Sequence, residues 1–283
     1  MWFPKKETTT ANRMFSNKDL MKLIAPMILE QILAVLVGLA DTIMVAAVGE
    51  SAVASVSLVD NINILLISVF MALATGGAVI IGQFMGYGDD KKAGQAADQL
   101  VIFMTVSSAA VMLIIYLCKW FILHVVFGTI EPDVMNYADI YLMIVTASIP
   151  FIAIYNAGAA IFRVQGNSMI SMKVSLLMNG INVIGNAILV LGVGMQVEGV
   201  AIPTLISRVV AAIVIIILLR NQNLRIHISK PFDFHPDWKM IKKILSIGIP
   251  NSVENSMFQL GKLVLLSLIS SFGTVAITAN AVS

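Results

Sequence analysis

Long apolar stretches separated by short polar breaks set the pattern of this chain. They cover about 23–48, 52–83, 100–123, 138–162, 172–194 and 199–219, and a seventh runs from about 244 to 272. A bilayer-crossing helix needs about 20 apolar residues, so each stretch is long enough to span. The pattern predicts an all-α integral membrane protein with a complete group of six spans and a seventh beginning another group.

Composition agrees with that solvent. Of 283 residues, 58% are hydrophobic and 12% charged, with a mean hydropathy of +0.91. A soluble domain carries about 25% charged residues, so this chain lacks the charge to cover a soluble surface. A cytosolic enzyme, a nucleic-acid binder and a disordered chain are excluded together. The net charge of +2 is too small to imply a polyanionic partner. Cys118 stands alone, which removes a disulfide framework and a cysteine metal cluster.

Basic residues are placed asymmetrically. The N-terminal segment holds Lys5, Lys6, Arg13, Lys18 and Lys22, and Lys91, Lys92, Arg163 and Lys173 flank two later breaks on the same side. The connection after the sixth stretch adds Arg220, Arg225, Lys230, Lys239, Lys242 and Lys243, so 15 of 18 basic residues share one side. The positive-inside rule makes that side, and the N-terminus, cytoplasmic. The polar connection also contains His227, Pro231, Asp233, His235, Pro236 and Asp237. It reads as a solvated linker, because metal-ligand spacing on a shared turn is absent.

A shift of 224 residues lays the seventh stretch on the first. Lys18 meets Lys242, Pro26 meets Pro250, Glu30 meets Glu254, Gly49 meets Gly273 and Ala52 meets Ala276, while Leu23 and Val53 meet Ile247 and Ile277. Six spans per unit start the second copy on the same side, which predicts a parallel repeat about an axis along the membrane normal. Residues 1–220 are then a six-helix N-terminal lobe, 221–243 a cytoplasmic inter-lobe linker, and 244–283 the start of a C-terminal lobe. A complete protein would have roughly 450 residues and twelve spans, and this chain alone would be inert.

Ionisable residues inside a membrane cost about 2.5–3.5 kcal/mol on insertion scales and face an interior or a cavity. Glu30, Asp41, Asp60 and Glu254 qualify, although Asp60 reads as close to a helix end. Glu30 and Asp41 are eleven residues apart, three helical turns, and share one face. A carboxylate such as Asp41, in a partly dry cavity, can hold a proton or a monovalent cation. Asn182 and Asn186 project their amides from one face of the fifth span at i, i+4, with Asn179 at its edge. Amide oxygens could complete a Na+ shell begun at Asp41, and Thr204 could add a hydroxyl. The same groups could instead tie helices together. Asn156 is a further polar candidate for substrate or coupling contacts, with Glu30, Asn179 and Glu254. Gly180 and Gly185 leave room for another helix, and Pro26, Pro150, Pro203 and Pro250 supply bend points.

Gly86-Tyr87-Gly88-Asp89 matches the G-x-G-D of intramembrane aspartyl proteases, but Asp89 leads into a basic cytoplasmic loop and no Tyr-Asp pair precedes it. No G-x-S-x-G, H-E-x-x-H or P-loop pattern supports a lipase or an ATP-driven pump. The chain does not read as an enzyme.

Several motifs, in order, resemble one family. Gly38-Leu39-Ala40-Asp41-Thr42-Ile43-Met44-Val45 is followed by Gly49-Glu50-Ser51-Ala52-Val53-Ala54. Then come Gln83-Phe84-Met85-Gly86-Tyr87-Gly88-Asp89, Arg163-Val164-Gln165-Gly166-Asn167, the Asn182/Asn186 pair, and Gly199-Val200-Ala201 with Thr204. Along nearly its whole length the chain resembles the multidrug and toxic compound extrusion (MATE) family of secondary transporters. The resemblance implies twelve helices in two six-helix lobes around a central cavity, working by alternating access. It implies export of organic, often cationic amphiphilic drug-like compounds across the cell (plasma) membrane by antiport with Na+ or H+, with no other cofactor. It places a cation site at Asp41, Asn182, Asn186 and Thr204. The rival transporter reading is a lipid-linked-precursor flippase of the related superfamily, which would line its cavity with several basic residues. Only Arg208 and Lys262 are candidates for such a lining within the spans.

Overall fold

In hydrocarbon no water is available to backbone N–H and C=O groups, so an apolar run must close its hydrogen bonds internally. The computed structural model describes residues 17–128, 130–228 and 236–270 and shows helices joined by short turns, with no strand among the described residues. The helices are α1 (Asn17–Val48), α2 (Glu50–Gly86), α3 (Asp90–Leu117), a short α4 (Lys119–Phe121), α5 (Pro132–Ala147), α6 (Ile149–Val164), α7 (Ser168–Asn186), α8 (Glu198–Leu219) and α9 (Trp238–Ser270). Wide π-turns, Ile122–Val126 and Ala187–Gly192, extend α4 and α7. The expectations for Lys5, Lys6, Arg13, Lys230, Pro231, Asp233, His235, Gly273, Ala276 and Ile277 fall outside the described residues. So do the side chains of Lys18 and Lys262.

Among the described residues five helices are long and apolar enough to cross a membrane, and α5 with α6, bent by 41°, passes the same test as a pair, which makes six if the two form one span. The fourth stretch, read over about 138–162 with Pro150 as a bend point, is broken there: Pro150, in the first turn of α6, has no N–H to continue the ladder. The third span begins at Asp90 rather than near 100, since the polar first turns of α3 are helical though not apolar. The seventh stretch is helical over the 33 residues of α9 but is less apolar than the others, with Asn251, Glu254, Asn255 and Gln259 along it.

Single residues make some of the turns. Gly49 alone separates α1 from α2, at φ +140°, a conformation that side chains with a Cβ rarely adopt. Asp89, the last residue of the G-x-G-D match, caps α3 by accepting the Lys92 N–H at 3.0 Å. The Lys92 side chain, 2.7 Å away, and that N–H together hold Asp89 below the usual carboxylate range.

The linker is less free than its composition suggests. The Gln165 side chain donates to Ile226 O and accepts from Ile226 N, both at 3.0 Å. Arg225 pairs with Asp90, and Ile226 and Ile228 are buried. Asp237 caps α9 by accepting from Lys239 N at 2.9 Å, so that helix starts at Trp238, inside the segment expected to be linker to 243.

Helix α2 is the centre of the bundle and packs on α3, α5, α6 and α9. Leu100, fully buried, fills the notch left by Gly77. At the crossing of α2 and α9 a Cβ on Gly76 would lie 2.6 Å from Gly248 Cα and N. Helix α1 differs. Among its described side chains only Pro26 and Val45 are buried, and many of its apolar residues, including Ile28, Leu36 and Ile43, point outward.

Gly76→Ala is therefore expected to lower stability by about 1–3 kcal/mol, the usual cost of overpacking, in thermal unfolding of the detergent-solubilised protein. Gly180→Ala, where a Cβ meets nothing within 4 Å, should be neutral. Equal effects at both positions would contradict the Gly76–Gly248 contact.

Candidate functional site

A carboxylate held in a membrane helix must find donors on its neighbours. Asp41 on α1 finds them on α7: Asn186 Nδ2 donates to Asp41 Oδ1 at 2.7 Å. The Asn182 amide is satisfied when its nitrogen faces Asp41, at 3.0 and 3.2 Å from the two oxygens, and its oxygen accepts from the Thr204 hydroxyl at 3.0 Å. Helix α7 can reach Thr204 because Gly185 lets it close on α8, where a Cβ would lie 2.7 Å from Pro203 Cβ. Gly180, expected to serve the same purpose, has no such neighbour. The four residues of the expected cation set are thus one hydrogen-bonded cluster.

The cluster's atoms suit a hard monovalent cation. One carboxylate, two amide oxygens and a hydroxyl are the available ligands. Asn186 Oδ1 is buried without a donor, an oxygen left over from the protein's own bonding. Among the described residues no group of three His, Cys, Asp or Glu is clustered as for a polyvalent metal.

Beside this cluster lies a cavity of about 410 Å³ between α1, α2, α5, α6, α7 and α8, lined by Asp41, Asp60, Asn63, Tyr141, Asn179 and Arg208 among others. Asp60 is not near a helix end, as its sequence position suggested. It is the eleventh residue of α2, because that helix starts at Glu50. Tyr141 on α5 donates to Asp60 Oδ1 at 3.1 Å. Arg208 Nη1 on α8 donates to Ser148 Oγ at 2.7 Å and to Asn63 Oδ1 at 3.5 Å. Ser148 is the residue at the α5–α6 break, so the bend supplies a hydroxyl to the arginine. Asn63, Tyr141 and Arg208 were not singled out as site residues. The signal available was depth: Asp60 and Arg208 each lie about 15 Å along their helices from the same end of the bundle.

The remaining candidates divide. Asn179 lines the cavity, and its Nδ2 is buried without an acceptor. Asn156 on α6 also has an unpartnered buried Nδ2 but does not line the cavity. Glu254 is exposed on α9, away from it. Glu30 forms a separate cluster about 16 Å along α1 from Asp41. Arg163 Nη2 donates to Glu30 Oε1 at 2.9 Å and Oε2 at 3.1 Å, and the Tyr155 hydroxyl donates to Oε1 at 3.0 Å. The side chain of Glu30 is 15% exposed, so the pair is partly desolvated.

A double-mutant cycle with Glu30→Gln and Arg163→Gln is expected to give a coupling of about 1–3 kcal/mol in thermal unfolding, the scale of hydrogen bonds to charged groups. Additive losses would remove this contact as an anchor of α1.

Comparison with known proteins places this architecture. The MatE family model matches residues 26–188, more than half of the chain and including Asp41, Asn182 and Asn186. The uncharacterized transporter YisQ of Bacillus subtilis (strain 168) is 29% identical over 275 residues, covering 95% of this chain and 59% of YisQ. The probable multidrug resistance protein NorM of Thermotoga maritima is 24% identical over 280 residues, covering 97% of this chain and 58% of NorM. The chain thus spans less than two thirds of the length of either relative. In fold it is similar to the outward-facing structure of a multidrug resistance MATE family transporter of the MOP superfamily. The TM-score is 0.81 at 24% identity, over 90% of this chain and 56% of that one. From its matched helices, its apolar spans and the ordered motifs around Asp41, the chain is a multi-pass membrane protein that belongs to the MatE family of transporters.

Proposed function

We propose that the protein is a secondary active transporter that exports organic, often cationic amphiphilic compounds in exchange for Na+ or H+. The observation that carries this reading is Asp41, hydrogen-bonded by Asn186 and bordering a cavity of about 410 Å³ inside the spans. The name of the NorM relative, a probable multidrug resistance protein, supports the substrate class.

Exchange follows from competition for charge. A cationic ligand in the cavity is held by the carboxylates of Asp41 and Asp60. A proton or Na+ on Asp41 cancels that charge, weakens the hold on the ligand and removes the acceptor that the amides of Asn182 and Asn186 bond. For Na+ those amides turn their oxygens to the ion, and Thr204 adds its hydroxyl. Helix α1 buries little else, so loss of these bonds lets it move, with Pro26 as its bend point. Each ligand then favours the conformation it binds better, which is the requirement for coupled exchange.

In this reading residues 1–220 form one six-helix lobe, 221–243 connect it, and 244–283 open a second lobe related by a parallel repeat. The N-terminus lies on the cytoplasmic side of the cell membrane, as the basic residues favour.

Asp41→Asn, which keeps the shape and removes the titratable charge, is expected to abolish ethidium efflux from cells expressing the full-length protein at unchanged membrane abundance. Efflux by the unaltered protein at varied Na+ and pH identifies the ion. Undiminished efflux in Asp41→Asn would contradict the role of Asp41.

A further inference from the structure

Arg208 is an arginine inside a membrane span, the eleventh residue of α8, and such a charge calls for a counter-charge. Among the described residues no carboxylate lies within 4.0 Å of it; the ion pairs found are Lys92–Asp89, Lys119–Asp139, Arg163–Glu30 and Arg225–Asp90. Asp60 and Asp41 interact with it only at longer range. Its two hydrogen bonds among the described residues, to Ser148 and Asn63, both come from Nη1 and both end on neutral oxygens.

A guanidinium has five N–H groups in a fixed fork. The Nη1 bonds to α2 and to the α5–α6 break fix the plane of this one. Nε and Nη2, with three N–H groups, have no acceptor among the described residues, and the residue lines the cavity. Asn179 lines the same cavity, with a buried amide nitrogen that also has no acceptor. The guanidinium therefore brings donors without acceptors to the cavity that the carboxylates of Asp41 and Asp60 also line. A purely cationic ligand would satisfy the carboxylates and leave these donors unmet. A ligand carrying a carboxylate as well as a basic nitrogen answers both, and planar fork-to-carboxylate pairing is what arginine does best. The cavity, about 410 Å³, falls within the usual range of small-molecule sites, about 300–1,000 Å³.

We propose that Arg208 is a specificity-determining residue of this cavity, whose guanidinium takes the carboxylate of zwitterionic ligands while their basic nitrogen lies toward Asp41 and Asp60. This rests on the transporter reading and adds the charge type of its substrates. Arg208 is thereby distinct from the cation cluster, which needs no anion.

The test uses the purified full-length protein and two fluorescent probes of one shape. The first is a quinolone with both a piperazinium and a carboxylate; the second is its methyl ester, which keeps only the piperazinium. The unaltered protein is expected to bind the acid about tenfold more tightly than the ester, one good charge-assisted contact. Arg208→Gln should bring the acid-to-ester ratio down to about one, whereas Arg208→Lys should keep part of the preference. An acid-to-ester ratio unchanged in Arg208→Gln would overturn the proposal, as would equal loss of both probes in a folded variant. A protein that exports ethidium but shows no preference between the probes retains the transporter reading and loses this one. A protein that neither exports ethidium nor binds either probe loses both.

Discussion

Helix α1 is held to the bundle by hydrogen bonds to two carboxylates, and the behaviour of the protein depends on that. Lipid tails are as apolar as leucine, so a membrane helix gains little by hiding its apolar face from them. Helix α1 hides little of it: Pro26 and Val45 are buried, Leu23, Leu33, Val37, Ala40, Met44 and Val48 are half-buried along the stripe that faces the bundle, and its other described apolar residues are exposed. Its polar attachments are therefore decisive. Asp41 is bonded by Asn186 and Asn182, and Glu30 by Arg163 and Tyr155, three turns away. In the proposed exchange one anchor, Asp41, is cancelled by a cation. The other is an ion pair that already holds its own.

The rest of the bundle is built to stay. Helix α2 is packed on most sides, with Leu100 filling the notch at Gly77 and Gly248 meeting Gly76. Three polar groups of the site sit where helices are irregular. Asn186 is the last residue before the π-turn Ala187–Gly192, Ser148 occupies the 41° bend between α5 and α6, and Thr204 follows Pro203. Such irregularities recur at functional sites because they release backbone geometry that a straight helix fixes. Here they aim three short polar side chains inward without widening the core elsewhere.

Much of this was legible in the sequence, for a physical reason in each case. Helices announce themselves by apolar runs, but hydropathy marks what is apolar and not what is helical. Thus α3 begins at Asp90 and α9 at Trp238, both earlier than their apolar stretches. The cluster of Asp41, Asn182, Asn186 and Thr204 was readable because polar residues in hydrocarbon are costly, and because i, i+4 spacing puts two amides on one face. Asp60, Asn63, Tyr141 and Arg208 come from three helices, with no local motif beyond the one-turn spacing of Asp60 and Asn63. The internal repeat paired Glu254 with Glu30, but it gave no sign that Glu30 is bonded by Arg163 on α6. A repeat carries residue identity from one copy to the next, whereas a partner such as Arg163 must be supplied by the fold.

The central claim is that the charge on Asp41 decides where α1 sits. It is tested most directly by the distance between spin labels on the exposed positions Leu39 of α1 and Ile184 of α7. The measurement is made in proteoliposomes of the full-length protein, with Na+ and pH varied. The account predicts that the distance lengthens as the coupling ion is added to the native protein, and that it no longer responds in Asp41→Asn. A distance that ignores both ions in the native protein, or an unaltered response in Asp41→Asn, would contradict it.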